Sequence, residues 1–387
     1  VNEVMIRKEL EQSILPFWMR LKDEQYGGLY GRVTFDLIPV EVGEKGGIAA
    51  ARHLWSFSSS YRVLNNPEYL SMATHVYQFI KDACIDKVYG GVYWMLDYRG
   101  TVIDHRKHIY AQAFMIYGLS EYYRVTKDKE ALDLAMVLYD LIESKGFNED
   151  NGAYKEEFTR EWVETPNEML SENGVIADIT MNTHIHILEA YTNLYKVAPS
   201  DELKERLNYL LALHYERLYQ SDYFLGVFFD QNWKSILDLK SFGHDIEASW
   251  LIDEALKVLG NEDPRYHRMV IDIAENIRSV AINDDGSLLN EQEGDHIDRT
   301  RIWWVQAEAA LGFYNAYQKT NDAAFKSASE RCWGFIMKHM KDPRERGEWY
   351  WSLDEDNLPI KRDLAEPWKV SYHNTRSCLE LIERMGK

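Results

Sequence analysis

The sequence predicts an all-α fold: an (α/α)6 barrel of six helix pairs, with short β-strands in the loops on the active-site rim. Three observations carry this prediction. A glycine beside aromatic or apolar strand-formers recurs six times, in Tyr26-Gly27-Gly28-Leu29-Tyr30, Tyr89-Gly90-Gly91-Val92-Tyr93, Gly152-Ala153-Tyr154, Gly226-Val227-Phe228-Phe229, Gly286-Ser287-Leu288-Leu289 and Gly347-Glu348-Trp349-Tyr350-Trp351. From Gly27 through Gly90, Gly152, Gly226 and Gly286 to Gly347 the steps are about 63, 62, 74, 60 and 61 residues, the mark of a repeated supersecondary unit. Each interval holds two ordinary helices and a loop. Second, apolar residues recur at helical spacing in twelve stretches. Third, side chains too polar for a barrel core gather at the start of every second helix.

The twelve stretches span 6–20, 47–64, 67–83, 106–126, 128–145, 178–197, 201–219, 242–260, 264–282, 301–319, 322–340 and 370–386. Short turns separate several partners, at Asn65-Asn66-Pro67, Lys127-Asp128, Pro199-Ser200-Asp201, Asp263-Pro264 and Asn321-Asp322. Loops this short join antiparallel neighbours. Helices that follow a glycine segment carry small residues on most faces (Ala49, Ala50 and Ala51; Ala111 and Ala113; Ala307, Ala309 and Ala310), as expected of an inner ring. Their partners, such as 128–145 and 201–219, show a charged stripe and belong outside. No Pro/Ser-rich linker or change of composition divides the chain, so residues 1–387 are expected to form one catalytic domain.

The 387 residues are 45% hydrophobic and 13% aromatic, which suits a large core and excludes a disordered chain. No apolar run approaches the ~18 residues of a membrane span, and the first residues lack the apolar stretch of a secretory leader. A net charge of -19 disfavours nucleic acid, which needs a basic stripe. Cys84, Cys332 and Cys378 are far apart and form neither a disulfide framework nor a zinc motif. A cytoplasmic protein, monomer or weak homodimer, is expected.

The polar groups at the presumed inner-helix starts are Arg52; His108 and Tyr110; Asn182, His184 and His186; His244, Asp245 and Glu247; Trp303, Trp304 and Glu308; and Trp368, His373, Asn374 and Arg376. Parallel inner helices would bring them to one end, where helix N-termini also favour a developing anion. His244 and Glu247, three apart, share a face, so the carboxylate is expected to orient the imidazole and raise its pKa. An isolated pair of this kind would read as a helix cap; its place on an inner helix favours acid/base work. Asn182 and His186 share a face, whereas His184, two residues from His186, points elsewhere and reads as a core histidine. No metal motif is completed. The repeat places His373 beside Arg52 around the ring. Trp303, Trp304 and Trp368 read as core, or as platforms for the apolar face of a sugar.

Nucleophile-elbow, phosphate-loop and dinucleotide motifs are absent. Histidines with Arg, Tyr, Asn and Glu, and no cofactor or metal, suit proton transfer at a carbon next to a carbonyl. A glycoside hydrolase would need two carboxylates across the bond, and only Glu247 and Glu308 offer themselves. A sugar-binding protein without turnover is the further alternative.

Six ordered segments carry a family resemblance: Ala51-Arg52-His53-Leu54-Trp55; Tyr110-Ala111-Gln112-Ala113-Phe114; Met181-Asn182-Thr183-His184-Ile185-His186-Ile187-Leu188-Glu189; Gly243-His244-Asp245-Ile246-Glu247-Ala248-Ser249-Trp250; Ile302-Trp303-Trp304-Val305-Gln306-Ala307-Glu308; and Trp368-Lys369-Val370-Ser371-Tyr372-His373-Asn374. Over essentially the whole chain they resemble the N-acylglucosamine 2-epimerase superfamily, its cellobiose-acting members being nearest in pattern. The resemblance implies an (α/α)6 barrel that epimerises C2 of a reducing-end sugar without metal or nucleotide cofactor. It implies conversion of cellobiose to glucosyl-mannose and lactose to epilactose through a cis-enediolate, with a side aldose–ketose isomerase activity. N-acylglucosamine or mannose are the alternative substrates. By the same resemblance His373 and His244 are the acid/base pair, with Glu247 supporting His244. Arg52, Tyr110, Asn182 and His186 surround O1, O2 and the open-chain carbonyl. Trp303 or Trp304, with Trp368, contacts the sugar, and Glu308 belongs to the substrate site. Gln306 departs from the pattern, which has Glu there.

Overall fold

The computed structural model describes residues 2–170 and 174–386. Among the described residues twelve helices alternate between two concentric rings. The outer ring comprises α1 (Glu3–Glu9 and Leu15–Met19), α3 (Pro67–Phe79), α5 (Lys129–Leu141), α7 (Asp201–Leu213), α9 (Pro264–Val280) and α11 (Ala323–Phe335). The inner ring comprises α2 (Gly47–Leu64), α4 (Ile109–Thr126), α6 (Met181–Val197), α8 (Phe242–Leu259), α10 (Trp303–Thr320) and α12 (Tyr372–Met385). Each inner helix packs on the next, and α12 packs back on α2, so the ring closes. Outer α1 rests on α12, bringing the first and last of these helices together.

Local chemistry sets these boundaries. Every outer helix begins on a side-chain cap, from Asn2, Asn66, Asp128, Ser200, Asp263 and Asp322, which satisfies an otherwise unpaired N–H. Three inner-to-outer turns place a left-handed residue just before that cap: Asn65 (φ +54°), Lys127 (φ +60°) and Asn321 (φ +57°). These are the turns expected from the sequence. Inner helices α4, α6 and α10 start later than periodicity predicts, because Lys107–His108, Ile179–Thr180 and Arg301–Ile302 are short strands. They pair with Glu157–Phe158, Phe228–Phe229 and Ser352–Leu353. Among the described residues a π turn interrupts α1 at Leu10–Ile14 and directly continues four other outer helices, at Ile80–Cys84, Ile142–Gly146, His214–Leu218 and Ile336–Met340. One extra residue per turn leaves no trace in a 3.6-residue pattern.

The glycine segments fold back antiparallel on the ends of the outer helices, through the pairs Lys22–Leu29, Ile85–Val92, Phe147–Tyr154, Tyr219–Leu225, Ile282–Leu288 and Lys341–Trp349. In the fourth and sixth repeats the left-handed residue of the turn is Tyr223 or Arg346, not the glycine. In four repeats the fourth residue of the next inner helix fastens this hairpin. Gln112 accepts from Val92 N–H and donates to Val92 O; Gln306 does the same with Leu288. His184 Nε2 accepts from Tyr154 N–H, and Asp245 Oδ1 from Leu225 N–H. His184 is thus a satisfied core histidine. The amide at Gln306 suits a position that must both accept and donate.

Inner helices touch through small residues, among them Ala51, Ala111, Ala113, Ala190, Ala248, Ala307 and Ala310, all fully buried. Each inner helix ends in a cation, Arg62, Arg124, Lys196, Lys257, Lys319 or Arg384, which complements the negative end of its dipole. These cations ring a second cavity at the far end of the barrel with Asp253, Glu254, Glu380 and Glu383. Among the described residues no helix is long and apolar enough to cross a membrane.

The closest approach in the ring yields a stability prediction. A Cβ on Gly118 of α4 would stand 2.5 Å from the carbonyl oxygen of Ala51 on α2. Gly118→Ala gains about 1 kcal/mol of helix propensity but overpacks a backbone contact at a larger cost. A net loss of about 1–2 kcal/mol is expected in guanidinium unfolding; an unchanged midpoint would show that the two helices can separate freely.

Candidate active site

The first two turns of the inner helices open onto a cavity of about 400 Å³. Its walls include Arg52 of α2, Tyr110 of α4, Asn182 and His186 of α6, His244 and Glu247 of α8, Trp303 and Trp304 of α10, His373 of α12, and Trp368 from the loop before α12. The structure therefore brings together every expected site residue except Glu308. That residue lies wholly buried behind His373 rather than in the wall. Met169, Arg362 and Glu366 join the lining from loops that carry no periodic signal, and Trp351 joins it from the sixth glycine segment.

Arg52 donates to the Tyr110 hydroxyl at 2.6 Å, and its guanidinium lies over the Phe114 and Tyr372 rings at 4.2 and 5.2 Å. Arg52 Nε, Asn182 Oδ1 and Trp303 Nε1 are buried without a hydrogen-bond partner. Buried polar atoms are normally paired, so three such atoms around one cavity mark a place for a polar ligand.

Three imidazoles face the cavity, and each is held at Nδ1. His373 Nδ1 lies 2.8 Å from Glu308 Oε1, and His186 Nδ1 lies 2.8 Å from Glu189 Oε2. His244 Nδ1 lies 2.7 Å from the Ser241 hydroxyl. Glu308 also accepts from Trp250 Nε1 at 2.9 Å. Beneath them the buried guanidinium of Arg376 donates to Glu189, Glu247 and Glu308, and to the Tyr372 hydroxyl, which itself donates to Glu189.

This arrangement corrects two expectations. Glu247 does not support His244: Arg376 takes its carboxylate, and the nearest imidazole atom is His373 Nδ1 at 3.9 Å. The His244 ring turns instead toward Ser241 and packs 4.7 Å from Trp304. Nor is the pKa of His244 raised. Burial, with the nearby His186 imidazole acting the same way, pulls it down to about 3. Glu189 and Ser241 were missed as supports, although Glu189 stands three residues after His186, the spacing that singled out Glu247.

Burial also lowers His186, and it lowers His373 well below the usual imidazole range, with the nearby charges of Arg376 and Arg52 acting the same way. All three rings are therefore neutral near pH 7. Burial works to raise Glu189, but Arg376 and His186 overcome it and hold the carboxylate at about 2. Glu247 is pushed up to about 8 by burial and the neighbouring charge of Glu308. Among the described residues Glu247, Glu308 and His373 bring possible metal-ligand atoms within 4.8 Å of one another. Arg376 Nη2 already bonds Oε1 of both carboxylates, so a cation occupies that position.

Two variants test the electrostatics. Arg376→Met leaves three buried carboxylates without their partner, and a loss of about 3–5 kcal/mol is expected in urea unfolding; a loss under about 1 kcal/mol would show the network to be dispensable. Glu156, under the start of α6, is buried and accepts from Thr180 N–H at 2.7 Å and from the Thr183 hydroxyl. His108 Nε2 stands 3.7 Å away. Burial pushes Glu156 up to about 8. With its folded pKa above the unfolded value, its contribution is full below about pH 4.5 and is lost as pH rises through 8. Glu156→Gln should therefore gain on the parent between pH 5 and 9, by on the order of 5 kcal/mol at most. Melting both proteins across that range would reveal the gain, and parallel curves would refute it.

Comparison with known proteins fits this geometry. The family model described as N-acylglucosamine 2-epimerase (GlcNAc 2-epimerase) matches residues 28–377. A cellobiose 2-epimerase of Ruminococcus albus is 45% identical over 383 residues, covering 98% of each chain. The solved cellobiose 2-epimerase of Bacillus thermoamylovorans superimposes with a TM-score of 0.97 at 57% identity, over 99% of both chains. A D-mannose isomerase structure shares the fold, with a TM-score of 0.88 at 21% identity over 99% of this chain and 98% of its own.

Proposed function

The chain belongs to the N-acylglucosamine 2-epimerase family, and on that premise we propose that it epimerises C2 of reducing-end glucose in β-1,4-linked disaccharides such as cellobiose and lactose. One observation carries the reading. His373 and His244 flank Trp304, at ring distances of 5.4 and 4.7 Å, and both face the cavity with Nδ1 already engaged. Nε2 of each is left for the substrate, so one sugar carbon can be reached by two acid/base groups.

In this scheme the pyranose opens, and Arg52 and Tyr110 hold the aldehyde oxygen while Asn182 and His186 surround O2. His373 Nε2 takes the proton from C2, and the electron pair moves into a cis-enediolate whose charge lies on O1, opposite the Arg52 guanidinium. Glu308, behind Nδ1, stabilises the resulting imidazolium. His244, neutral in the empty site, takes up a proton from solvent as the negative charge develops beside it, and after rotation about C2–C3 delivers that proton to the opposite face of C2. His373 ends the half-cycle protonated and His244 neutral, and proton exchange with solvent resets the pair. Delivery to C1 instead yields the ketose, the side reaction that would turn lactose into lactulose. Trp304 and Trp368 offer the flat apolar surfaces that sugar rings stack on.

Hydrolysis is the weaker reading, because Arg376 holds both candidate carboxylates and Glu308 is buried behind His373. The whole chain, 1–387, acts as the catalytic unit. A monomer or weak homodimer accords with a cavity whose two acid/base histidines come from the same chain. Buried free thiols at Cys84, Cys332 and Cys378 accord with a cytoplasmic setting. No cofactor or metal enters the scheme.

NMR of cellobiose in D2O with the purified protein tests the proposal. Glucosyl-mannose carrying deuterium at C2 is expected. Release of free glucose would favour hydrolysis, and a bound but unchanged sugar would favour a binding role. His373→Asn and His244→Asn should each lower kcat by at least about 100-fold with the fold retained; a variant keeping most of its turnover would remove that residue from the scheme.

A further inference from the structure

We propose that Ser241 is the positioning residue of His244 and gives it a role unlike that of its partner histidine. The inference rests on the acid/base reading above. Ser241 occupies the N-cap position of α8, where a serine ordinarily accepts a backbone N–H of the first turn. Thr180 and Ser200 do so before α6 and α7, accepting from Thr183 and Leu203 N–H at 3.1 Å. Ser241 makes no capping bond; its hydroxyl goes to His244 Nδ1 instead. It is also fixed in place. It ends the strand Leu239–Ser241, is buried, and pairs in register with Glu291.

The consequence lies in what each support can do. Glu308 and Glu189 carry anionic oxygens that accept hydrogen bonds, so Nδ1 of His373 and of His186 must carry the proton. Nε2 of each then presents a lone pair, and the imidazolium of His373 has a counter-ion. A hydroxyl both donates and accepts, so Ser241 fits either neutral tautomer of His244 and also its imidazolium, but contributes no negative charge. Of the other groups around His244, His186 of α6 lowers its pKa, Glu308 of α10 raises it, and the Trp304 ring packs against it; Asp245 and Glu247 are its neighbours on α8, and Arg376 and His373 come from α12. Asp245 is turned to Leu225, and Arg376 binds both glutamates. His244 is thereby the histidine whose Nδ1 rests on a neutral hydroxyl, suited to passing a proton on, whereas the His373 imidazolium has a carboxylate behind it.

The test uses full-length Ser241→Ala, Ser241→Thr and Ser241→Asp with cellobiose. Ser241→Ala should lower kcat about tenfold or more with KM within about twofold, because orientation of a proton donor is lost rather than binding. Its melting temperature should hold, since there is no side-chain cap to lose. Ser241→Thr, which keeps the hydroxyl, should recover most of kcat. Ser241→Asp places a carboxylate behind Nδ1 and should move the ionisation of His244, read from the pH profile of kcat/KM, upward by about one unit or more. Parental kcat in Ser241→Ala, or no recovery in Ser241→Thr when both are folded, would overturn the proposal. A parent that fails to exchange the C2 hydrogen would instead overturn the reading beneath it.

Discussion

The site depends on one buried guanidinium. Arg376 of α12 reaches Glu189 of α6, Glu247 of α8 and Glu308 of α10, so a single side chain ties four inner helices together under the cavity floor. Burying such charges is costly, and the cost is offset only when geometry and hydrogen bonding are nearly complete. Here Tyr372, Trp250, His186 and His373 take up much of the remaining bonding capacity. Two of the three carboxylates pass that constraint on to imidazoles in the cavity wall. Structural order and chemical readiness thus have the same origin.

The barrel is polar in two different ways at its two ends. At the cavity end, six helix starts converge and their partial positive charges suit an enediolate. At the other end, six helix stops would leave converging negative ends, and one cation per helix answers them. Those cations are paired in turn, Arg62 with Glu121 and Glu383, and Lys319 with Asp253. Parallel inner helices are therefore stable here because each end has its own means of balancing charge.

The ring was legible in the sequence because its signals are local and repeated. Glycine segments, helix caps and alanine-rich faces each act within a few residues of chain, and six copies make the period visible. The cavity wall was legible for the same reason, since polar residues sit at equivalent turns of successive helices. The partners of those residues were not legible. Spacing along α8 shows that His244 and Glu247 share a face, but whether they bond depends on Arg376, more than a hundred residues away. The same holds for Glu308, whose place behind His373 is set by how α10 and α12 pack. Gln306, which looks like a departure in an acidic motif, is explained by a hairpin in the previous loop.

The closure of α12 between α10, α2 and α1 has a consequence for how the protein is made. Arg376 and His373 lie on the last of the inner helices in chain order, so α1 is made long before α12, the helix it covers. Until then the nascent chain is an open arc, with apolar edges exposed and three carboxylates lacking their common counter-ion. The arrival of α12 closes the ring and brings Arg376 to its three carboxylates in one event.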